Sequence, residues 1–365
     1  PAVAAFVDLI FNKKMAEADL SKRNVDVSKF PLGEISLACV RSAYAALSAA
    51  SAAIERVEAR DPSRARGDVD KARDAAAVQA ATNDFLRAIP HAVGRGGMAA
   101  LRLDSREIIR EKLDLVAALE QILARLALDR AAGGGGAGPS PSHADPTRRH
   151  YDALGCDLKP VAPGAAAFRD VEAYLRRGWP DASLEALFES TVGQQEAAFA
   201  PHRGEDVRLL WHGSSLANWA GILNGGLRIA PPEAPSNGYN FDKGLYFADN
   251  SKKSGQYCRA DPGGPAVLCL AEVAVGRQHV LRAPDVNANN ARRLNSKDSV
   301  FATGLNEPDP AAGFADHGGA KLPLGSPKAF DQTTGPKRFM GHNEYIVYEE
   351  SRHRIKYVLQ CHIRG

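Results

Sequence analysis

A glycine-rich segment divides this chain into two parts with different patterns of apolar residues. Positions 131–148 begin Ala-Ala-Gly-Gly-Gly-Gly and continue mostly with Gly, Ser, Pro, His and Asp. Segments of this composition bury little apolar surface and behave as flexible linkers. We therefore expect one domain over residues 1–130, a linker over 131–148 and a second domain over 149–365. A chain of 365 residues is long enough for each part to have its own core.

The first part has the apolar spacing of amphipathic helices. Phe6, Ile10 and Met15 are spaced roughly as one helical face, and further helices are predicted over 35–57 and 69–89. Together with a fourth helix, which has the clearest pattern of all, they predict an all-α bundle.

The fourth helix carries both a start signal and a long apolar stripe. Asp104 is a suitable N-cap, and Glu107 three residues later completes a capping-box pattern. Apolar residues then recur at steps of three and four, namely Ile108, Ile109, Leu113, Val116, Leu119, Ile122, Leu123 and Leu126.

The second part mixes strand and helix patterns, which predicts an α+β domain with a mixed or antiparallel sheet. Residues 266–275 alternate with the period of a strand. The strands predicted at 344–348 and 355–362 are close enough in sequence to form a hairpin. Residues 287–342 are rich in Gly, Pro and Asn and predict a long loop. Other strands are expected over 154–161 and 208–212, and helices over 165–177 and 216–223.

Composition and missing motifs exclude several classes of protein. A net charge of +3 argues against a nucleic-acid-binding surface along the whole chain. The five cysteines form no C-x-x-C pair, which argues against a zinc site or a disulfide framework and suits a reducing compartment. We see no apolar run that approaches the ~20 residues of a membrane span. The chain also lacks a G-x-G-x-x-G motif after a strand, a P-loop and an H-E-x-x-H motif.

Three short motifs place a histidine, a tyrosine and a glutamate at strand ends or edges. The first reads Trp-His-Gly-Ser and contains His212 and Gly213; the second reads Lys-Gly-Leu-Tyr-Phe-Ala-Asp and contains Tyr246; the third reads Asn-Glu-Tyr-Ile-Val-Tyr and contains Glu344. Taken alone, such a histidine or tyrosine is usually a core residue and such a glutamate is usually on the surface. An apolar strand that opens with a charge, and a glycine that lets a ligand approach the backbone, favour a functional site.

In this order the motifs resemble the His-Tyr-Glu signature of the poly(ADP-ribose) polymerase family. The resemblance is strongest over 209–257 and 343–348, and it extends more weakly over nearly the whole chain. Phe-Pro-Leu-Gly at 30–33 resembles the regulatory helical domain that precedes the catalytic domain in DNA-dependent members. The resemblance implies an ADP-ribosyltransferase domain that uses NAD as co-substrate. Such enzymes cleave the bond between nicotinamide and ribose through a transition state of oxocarbenium character and transfer ADP-ribose to proteins and to growing ADP-ribose chains.

The resemblance implies three catalytic residues. Glu344 would hold the ribose 2′-hydroxyl, stabilise the developing positive charge and polarise the attacking hydroxyl. His212 would hydrogen-bond the ribose on the adenine side, and Tyr246 would line one wall of the pocket.

It also implies a set of contacts to NAD. The backbone of Gly213 and the hydroxyl of Ser254 would hold the nicotinamide carboxamide, and Tyr257 would stack on the nicotinamide ring. Lys253 would position the acceptor or Glu344, although a solvated lysine is an equal alternative. The remaining expected contacts, on the ribose and adenosine side and in the loop over the donor pocket, are Ser214, Arg228 and Tyr239.

The bundle is expected to regulate the site. Glu111 and Asp114 align with acidic residues that face the NAD pocket in relatives, although a solvated helix face is the stronger interpretation for Glu111. We expect the bundle to shield the donor pocket until an upstream module loosens it. By resemblance, the partners are protein acceptors, including the chain itself, and DNA or an activating module acting through regions outside these residues. The same resemblance implies a nuclear location and DNA repair, with no metal and no membrane partner.

Two features leave the activity open to alternatives. Ser215 stands where the best-known nuclear members carry a basic side chain, and the acceptor region at 287–342 differs widely, so acceptor preference and polymer length are undetermined. A mono-ADP-ribosyltransferase is the nearest alternative, although such relatives often replace the glutamate that Glu344 matches. An inactive NAD-binding module, or a structural bundle with a degenerate second domain, would be expected to have lost the pocket motifs, which are intact.

Overall fold

The secondary structure follows the expected order, with helices first and a mixed-sheet domain after them. The computed structural model describes residues 1–58, 68–94, 97–132, 145–333 and 336–363. The helices in these ranges are α1 (Ala2–Ile10), α2 (Lys13–Lys22), α3 (Leu37–Glu58), α4 (Asp68–Ala88), α5 (Arg106–Ala132), α6 (Pro146–Leu154), α7 (Ala166–Gly178), α8 (Gln195–Phe199), α9 (Trp219–Gly225), α10 (Ser251–Gly255) and α11 (Ala288–Leu294).

The strands belong to the second part of the chain, so the α+β class is confirmed. They are β1 (Cys156–Pro160), β2 (Ala182–Val192), β3 (Val207–Gly213), β4 (Leu245–Phe247), β5 (Pro265–Ala274), β6 (Gln278–Leu281), β7 (Ser299–Ala302), β8 (Gly304–Pro308), β9 (Phe314–His317), β10 (Ala320–Pro323), β11 (Pro327–Ala329), β12 (Met340–His342), β13 (Glu344–Val347) and β14 (His353–Ile363).

The helical part has a core built mainly from α3, α4 and α5. The buried face of α3 is rich in alanine, which lets α4 and α5 approach closely, and Phe85 of α4 fills the space between them. The Tyr44 hydroxyl of α3 donates a hydrogen bond to Glu120 of α5 at 3.0 Å. Contrary to our expectation from the sequence, α3 is long and apolar enough to match a membrane span, but a helix buried in a bundle core passes the same test, so this is weak evidence.

The first predicted helix is in fact two helices. They separate at Phe11 and Asn12, where the Asn12 side chain accepts a hydrogen bond from the Met15 N–H at 3.2 Å and caps α2. The apolar face of α1 packs on the large sheet of the second part, with the rings of Phe6 and Phe188 5.0 Å apart.

The start of α5 was predicted one residue too early. The helix begins at Arg106, and the Ser105 hydroxyl, rather than Asp104, accepts a hydrogen bond from the Ile108 N–H at 3.3 Å. Serine is as good an N-cap as aspartate, so the sequence offered two adjacent candidates. Residues 133–144 of the predicted linker lie outside the described residues, and the ends of the 131–148 segment belong to α5 and α6.

Two larger sheets position the candidate site. Seven strands pair in the order β1-β2-β14-β5-β3-β10-β9, and four pair in the order β4-β13-β7-β6. Most pairs are antiparallel, whereas β3–β10 and β6–β7 are parallel. Trp211 on β3 and Ala248 after β4 exchange backbone hydrogen bonds of 2.8 and 3.0 Å, which brings the two sheets together.

Three predictions for the second part are wrong, namely a hairpin, a long loop and the start of one strand. The strands near 344–348 and 355–362 form no hairpin, because β13 pairs with β4 and β7 while β14 pairs with β2 and β5. The region 287–342 contains α11 and six short strands instead of one long loop. The strand predicted from residue 154 begins at Cys156, because Leu154 ends α6.

Candidate active site

His212 lies near the end of β3 with its ring fixed by the backbone of a neighbouring strand. Its Nδ1 lies 3.0 Å from the carbonyl oxygen of Tyr246. Since a carbonyl oxygen can only accept, Nδ1 carries the proton and donates it, which leaves Nε2 as the unprotonated acceptor. Burial lowers the pKa of His212 and keeps the ring neutral. The geometry therefore presents a neutral imidazole that can accept a hydrogen bond from a ligand hydroxyl.

Gly213, the next residue, is pressed against α10. A Cβ added there would lie 2.8 Å from the carbonyl carbon of Ser254 and closer still to its oxygen. The Ser254 hydroxyl in turn donates a hydrogen bond to the carbonyl oxygen of Trp211 at 3.1 Å. The space that a side chain would fill is thus given up to a close contact between two backbones, which we call the cradle.

Glu344 is the first residue of β13 and is buried, yet it carries a charge. Its carboxylate pairs with the Lys253 ammonium of α10 at 2.8 Å. Burial lowers the pKa of Lys253, but the interactions with Glu344 and Tyr257 together outweigh it, so that the pKa is raised overall. Lys253 also lies over the ring of Tyr257, 5.6 Å from its centre. Tyr257 is 48% exposed, so its outer face is open to a ligand.

The two residues next to Glu344 in sequence fix its strand through hydrogen bonds on the opposite face. Side chains alternate along a strand, so Asn343 and Tyr345 point away from Glu344. Both donate hydrogen bonds to one carboxylate oxygen of Asp249, at 2.8 and 3.0 Å. Burial raises the pKa of Asp249 to about 6 even though these hydrogen bonds lower it. We did not predict this network, although the strand period places Asn343 and Tyr345 on one face.

Tyr246 is held by the loop that precedes it. Its hydroxyl donates a hydrogen bond to the carbonyl of Asp242 at 2.7 Å and accepts one from the Phe241 N–H at 3.1 Å. The ring stacks with that of Tyr239, the centres being 6.3 Å apart and the planes inclined by 26°. Tyr239 and Tyr246 thus form one aromatic wall.

Ser214 and Arg228 lie on the side of the site formed by α9. The Ser214 hydroxyl accepts a hydrogen bond from Asn218 at 2.8 Å, which fixes it at the start of this helical turn. Arg228 is exposed just beyond α9 and is close enough to Glu120 of α5 to lower that carboxyl's pKa, against the larger effect of burial. Ser214 therefore directly follows the His212 strand, whereas Arg228 lies beyond α9 on the side where α5 approaches.

Helix α5 packs directly on the loop that carries Tyr239. Arg110 donates to the carbonyl oxygen of Gly238 at 3.2 Å and also to the Asn240 side chain. A Cβ on Gly238 would overlap the Leu113 side chain, so the contact depends on glycine at this point.

The two acidic residues of α5 behave differently. Asp114 is half-buried beside the loop, and burial raises its pKa. Glu111 is exposed and pairs with Lys112 at 3.1 Å. Asp114 therefore lies beside the loop that carries Tyr239, and Glu111 lies on the solvated face.

A second contact between the two parts of the chain was not predicted. Arg23, the C-cap of α2, is buried and donates to Asp19 at 3.0 Å, to the Asp114 carbonyl oxygen at 3.2 Å and to the Ser215 hydroxyl at 3.3 Å. Ser215 directly follows the first motif, so this contact joins the end of α2 to the segment that carries His212. Such a contact between distant segments leaves no signal in the local sequence.

Within the ranges that the structure describes, no group of three or more His, Cys, Asp or Glu side chains could hold a metal ion.

Comparison with known families matches both parts of the chain. Residues 166–363 match the poly(ADP-ribose) polymerase catalytic domain, and residues 1–134 match the poly(ADP-ribose) polymerase regulatory domain. Poly(ADP-ribose) polymerase 2 from Arabidopsis thaliana is 33% identical over 367 residues, which cover 98% of this chain and 53% of the relative.

Two animal relatives are identical to this chain to a similar extent. Poly(ADP-ribose) polymerase 2 from Homo sapiens is 32% identical over 98% of this chain and 58% of its own length. Poly(ADP-ribose) polymerase 1 from Xenopus laevis is 33% identical over 98% of this chain and 34% of its own length. The chain thus spans about half the length of the curated plant relatives that it matches.

Proposed function

This chain belongs to the poly(ADP-ribose) polymerase family, and from that premise we propose that it is an NAD-dependent poly(ADP-ribosyl) transferase. It cleaves the nicotinamide–ribose bond of NAD and transfers ADP-ribose to protein side chains and to growing ADP-ribose chains. The observation that supports this best is the continuous set of contacts joining three distant motifs. His212 bonds the Tyr246 backbone, β4 pairs with β13, and Glu344 at the start of β13 pairs with α10.

The donor side of the site fits NAD through groups that the fold has already oriented. The cradle at Gly213 and Ser254 suits a flat carboxamide, which needs one acceptor and one donor from a backbone held at close range. The unprotonated Nε2 of His212 suits a ribose hydroxyl as donor. Tyr257 offers an open face for stacking, worth about 0.5–1.5 kcal/mol beyond burial, and the Tyr239–Tyr246 wall closes the other side.

The acceptor side contributes the charged pair of the site, Glu344 and Lys253. Bound NAD provides the electrophilic ribose carbon and nicotinamide as the leaving group. The Glu344 carboxylate stabilises positive charge that develops on the ribose and holds its 2′-hydroxyl. Its burial strengthens the effect, because electrostatic interactions are less screened away from water. Lys253 holds the carboxylate in place at 2.8 Å.

A mono-ADP-ribosyltransferase is the second candidate function. The intact Glu344–Lys253 pair favours polymer formation, because an oriented carboxylate can act on the hydroxyl of a bound ADP-ribose unit as well as on a protein acceptor.

The test is prolonged incubation of the purified chain with labelled NAD, followed by a denaturing gel. Glu344→Gln removes the charge while keeping the size, so elongation is expected to fall by at least about 100-fold, with NAD binding retained. Glu349→Gln, an exposed carboxylate beyond the same strand, is the matched control and is expected to leave the ladder unchanged.

Other outcomes separate the alternatives. One sharp labelled band would indicate mono-transfer, and polymer formed by Glu344→Gln would contradict the role of Glu344. NAD binding without any labelling would favour a binding module.

The partners proposed here follow from family membership. They are protein acceptors, including the chain itself, and DNA or an activating module that acts through regions outside these residues. A nuclear location and a role in DNA repair belong to the same proposal.

A further inference from the structure

The Arg228 segment, residues 226–230, is held by side chains rather than by pairing within a helix or strand. It follows α9 and belongs to no helix or strand. Leu227 and Ile229 pack on the apolar core, whereas Arg228 between them is exposed. Such alternation is typical of an extended backbone. The direction of the Arg228 side chain therefore depends on what fixes the backbone on either side of it.

The segment is closely packed at its start. A Cβ added to Gly225 would lie 3.1 Å from the central carbon of the Arg228 guanidinium and closer still to one of its nitrogens. A Cβ added to Gly226 would overlap the side-chain amide of Gln195 in α8. Gln195 is itself fixed, because its side-chain oxygen accepts a hydrogen bond from the Ile355 N–H at 3.0 Å. The guanidinium therefore lies against the end of α9, and the backbone before it has little room to move.

The backbone after Arg228 is fixed by a residue from the far end of the chain. The Ile229 N–H donates a hydrogen bond to the carboxylate of Glu350 at 2.8 Å, across 121 positions of sequence. A hydrogen bond to a charged oxygen is about twice as strong as one between neutral groups. Because Ile229 lies outside the helices and strands, Glu350 supplies the acceptor that a neighbouring backbone would otherwise supply.

Glu350 also connects the Arg228 segment to the strand of the proposed catalytic carboxylate. Glu344 is the first residue of β13, and Glu350 begins the short helical turn that follows this strand. One stretch of seven residues, 344–350, thus has Glu344 at one end and the contact with Ile229 at the other. The position of the Arg228 segment relative to Glu344 is set through this stretch.

We propose that Glu350 is a positioning residue for the adenosine half of NAD. This rests on the proposed transferase function, in which Arg228 binds that half of the donor. A guanidinium has only hydrogen-bond donors, so it suits acceptor atoms such as ribose oxygens and adenine ring nitrogens. Glu350 acts through the backbone of Ile229 and keeps Arg228 at a fixed place relative to Glu344. The nicotinamide half depends on other groups, the cradle and Tyr257.

The principal variant is Glu350→Ala, which removes the acceptor for the Ile229 N–H. Because Glu350 is exposed, the substitution costs little packing. Steady-state release of nicotinamide from NAD should show a KM raised by about fivefold to tenfold and a kcat within about twofold of the wild-type value. Glu350→Gln keeps an oxygen that can accept the same hydrogen bond, so its KM should stay within about threefold of wild type.

Equilibrium binding separates the two halves of the donor. In Glu350→Ala the affinity for ADP-ribose, which lacks nicotinamide, should fall by about fivefold to tenfold. The affinity for nicotinamide alone should be unchanged, and calorimetric titration with each ligand measures both. The matched control is Glu349→Ala, which removes an exposed carboxylate from the neighbouring position and should bind both ligands as the wild type does.

A further measurement needs no ligand. Amide hydrogen exchange of Ile229, followed by NMR, should be faster in Glu350→Ala than in the wild-type chain or in Glu350→Gln, because the N–H has lost its partner. Equal exchange in the wild-type chain and Glu350→Ala would show that this hydrogen bond does not hold the segment and would overturn the inference.

The remaining outcomes are also decisive. Unchanged ADP-ribose affinity in Glu350→Ala would overturn the inference and leave the transferase function intact. An equal loss of nicotinamide affinity would show general disruption of the site and would also overturn it. If the wild-type chain binds neither ligand, the proposed function and this inference fail together. If it binds both but releases no nicotinamide from NAD, the proposed function fails, while the ADP-ribose affinities of wild type and Glu350→Ala still support or overturn the positioning role.

Discussion

The proposed donor and acceptor halves of the candidate site are held in place by different kinds of interaction. On the donor half, His212, Gly213 and Ser254 are all fixed through backbone atoms, either by hydrogen bonds to carbonyl oxygens or by close contact. On the acceptor half, Glu344 is held by the side chain of Lys253, and its strand by the side chain of Asp249.

This difference predicts how each half responds to change. The backbone contacts of the donor half do not titrate, and the lowered pKa of His212 keeps its ring neutral near neutral pH, so this half should be insensitive to pH near neutrality but intolerant of an added Cβ. Side-chain contacts between charged groups titrate, so the acceptor half should respond to pH and to charge substitutions. The three predictions below test this division, from the largest expected effect to the smallest.

Gly213→Ala should have the largest effect, because its methyl group would meet the Ser254 backbone. A backbone cannot move aside as the end of a long side chain can, so the cradle must open. We expect NAD affinity to fall by more than about 100-fold and the free energy of unfolding to fall by about 1–3 kcal/mol or more. Calorimetric binding and urea unfolding would measure both.

The control for that substitution is Gly204→Ala, an exposed position with open space around its Cβ. If Gly213→Ala bound NAD as tightly as the control, the backbone contact would not be what shapes the donor half.

Asp249→Asn should change the pH dependence of stability. The pKa of Asp249 rises from 3.8 to about 6 in the folded chain, so the folded state binds more protons than the unfolded state between these values. Its contribution to stability is therefore complete below about pH 4 and is lost as the pH rises to about 6, by up to about 3 kcal/mol.

An asparagine oxygen can accept the same two hydrogen bonds without titrating. Urea unfolding of both proteins between pH 4 and 7 should show the variant gaining relative stability as the pH rises. If the free energies of unfolding of the two proteins changed in parallel with pH, Asp249 would not set the pH response of the acceptor half.

Arg110→Ala should have the smallest effect and tests whether α5 restrains the donor half from outside. The substitution removes the hydrogen bonds from Arg110 to Gly238 and Asn240 and costs little core packing, because Arg110 is exposed. Losing these hydrogen bonds removes about 0.5–1.5 kcal/mol of the free energy that holds α5 against the loop. Basal NAD turnover should therefore rise by about twofold to tenfold.

The matched control is Arg106→Ala. Arg106 lies one turn earlier on α5 and pairs with Glu58 of α3, so this ion pair joins two helices of the bundle. Equal turnover in Arg110→Ala and Arg106→Ala would argue against shielding by this contact.

The sequence predicted the parts of the fold that carry a local signal. The periodic apolar residues of α5 and the alternation in β5 can be seen in one short window. Strand partners cannot be seen in this way: β13 and β14 are neighbours in sequence, yet they pair into different sheets. The strands between residues 299 and 342 are three to five residues long, too short to show a period.

The candidate site was predictable to the same extent. His212, Tyr246 and Glu344 lie in recognisable motifs, and the structure brings their strands together. Arg23 and Asp249 were missed as supports because their roles arise only when distant segments meet. Their partners, Ser215 and Asn343, are polar residues of ordinary appearance in the sequence.

The packing of Phe6 on Phe188 has a consequence for how the chain folds. The two rings are separated by about half of the chain, so during synthesis α1 emerges long before its binding surface on β2. Contacts of such long range slow folding, because a large loop must close before they contribute. Until then the apolar face of α1 stays exposed, and this is the period in which nascent chains are most prone to aggregate. Removing residues 1–130 would expose the apolar surface on β2 that α1 covers. A shortened catalytic domain would therefore need a substitution at Phe188 to avoid aggregation.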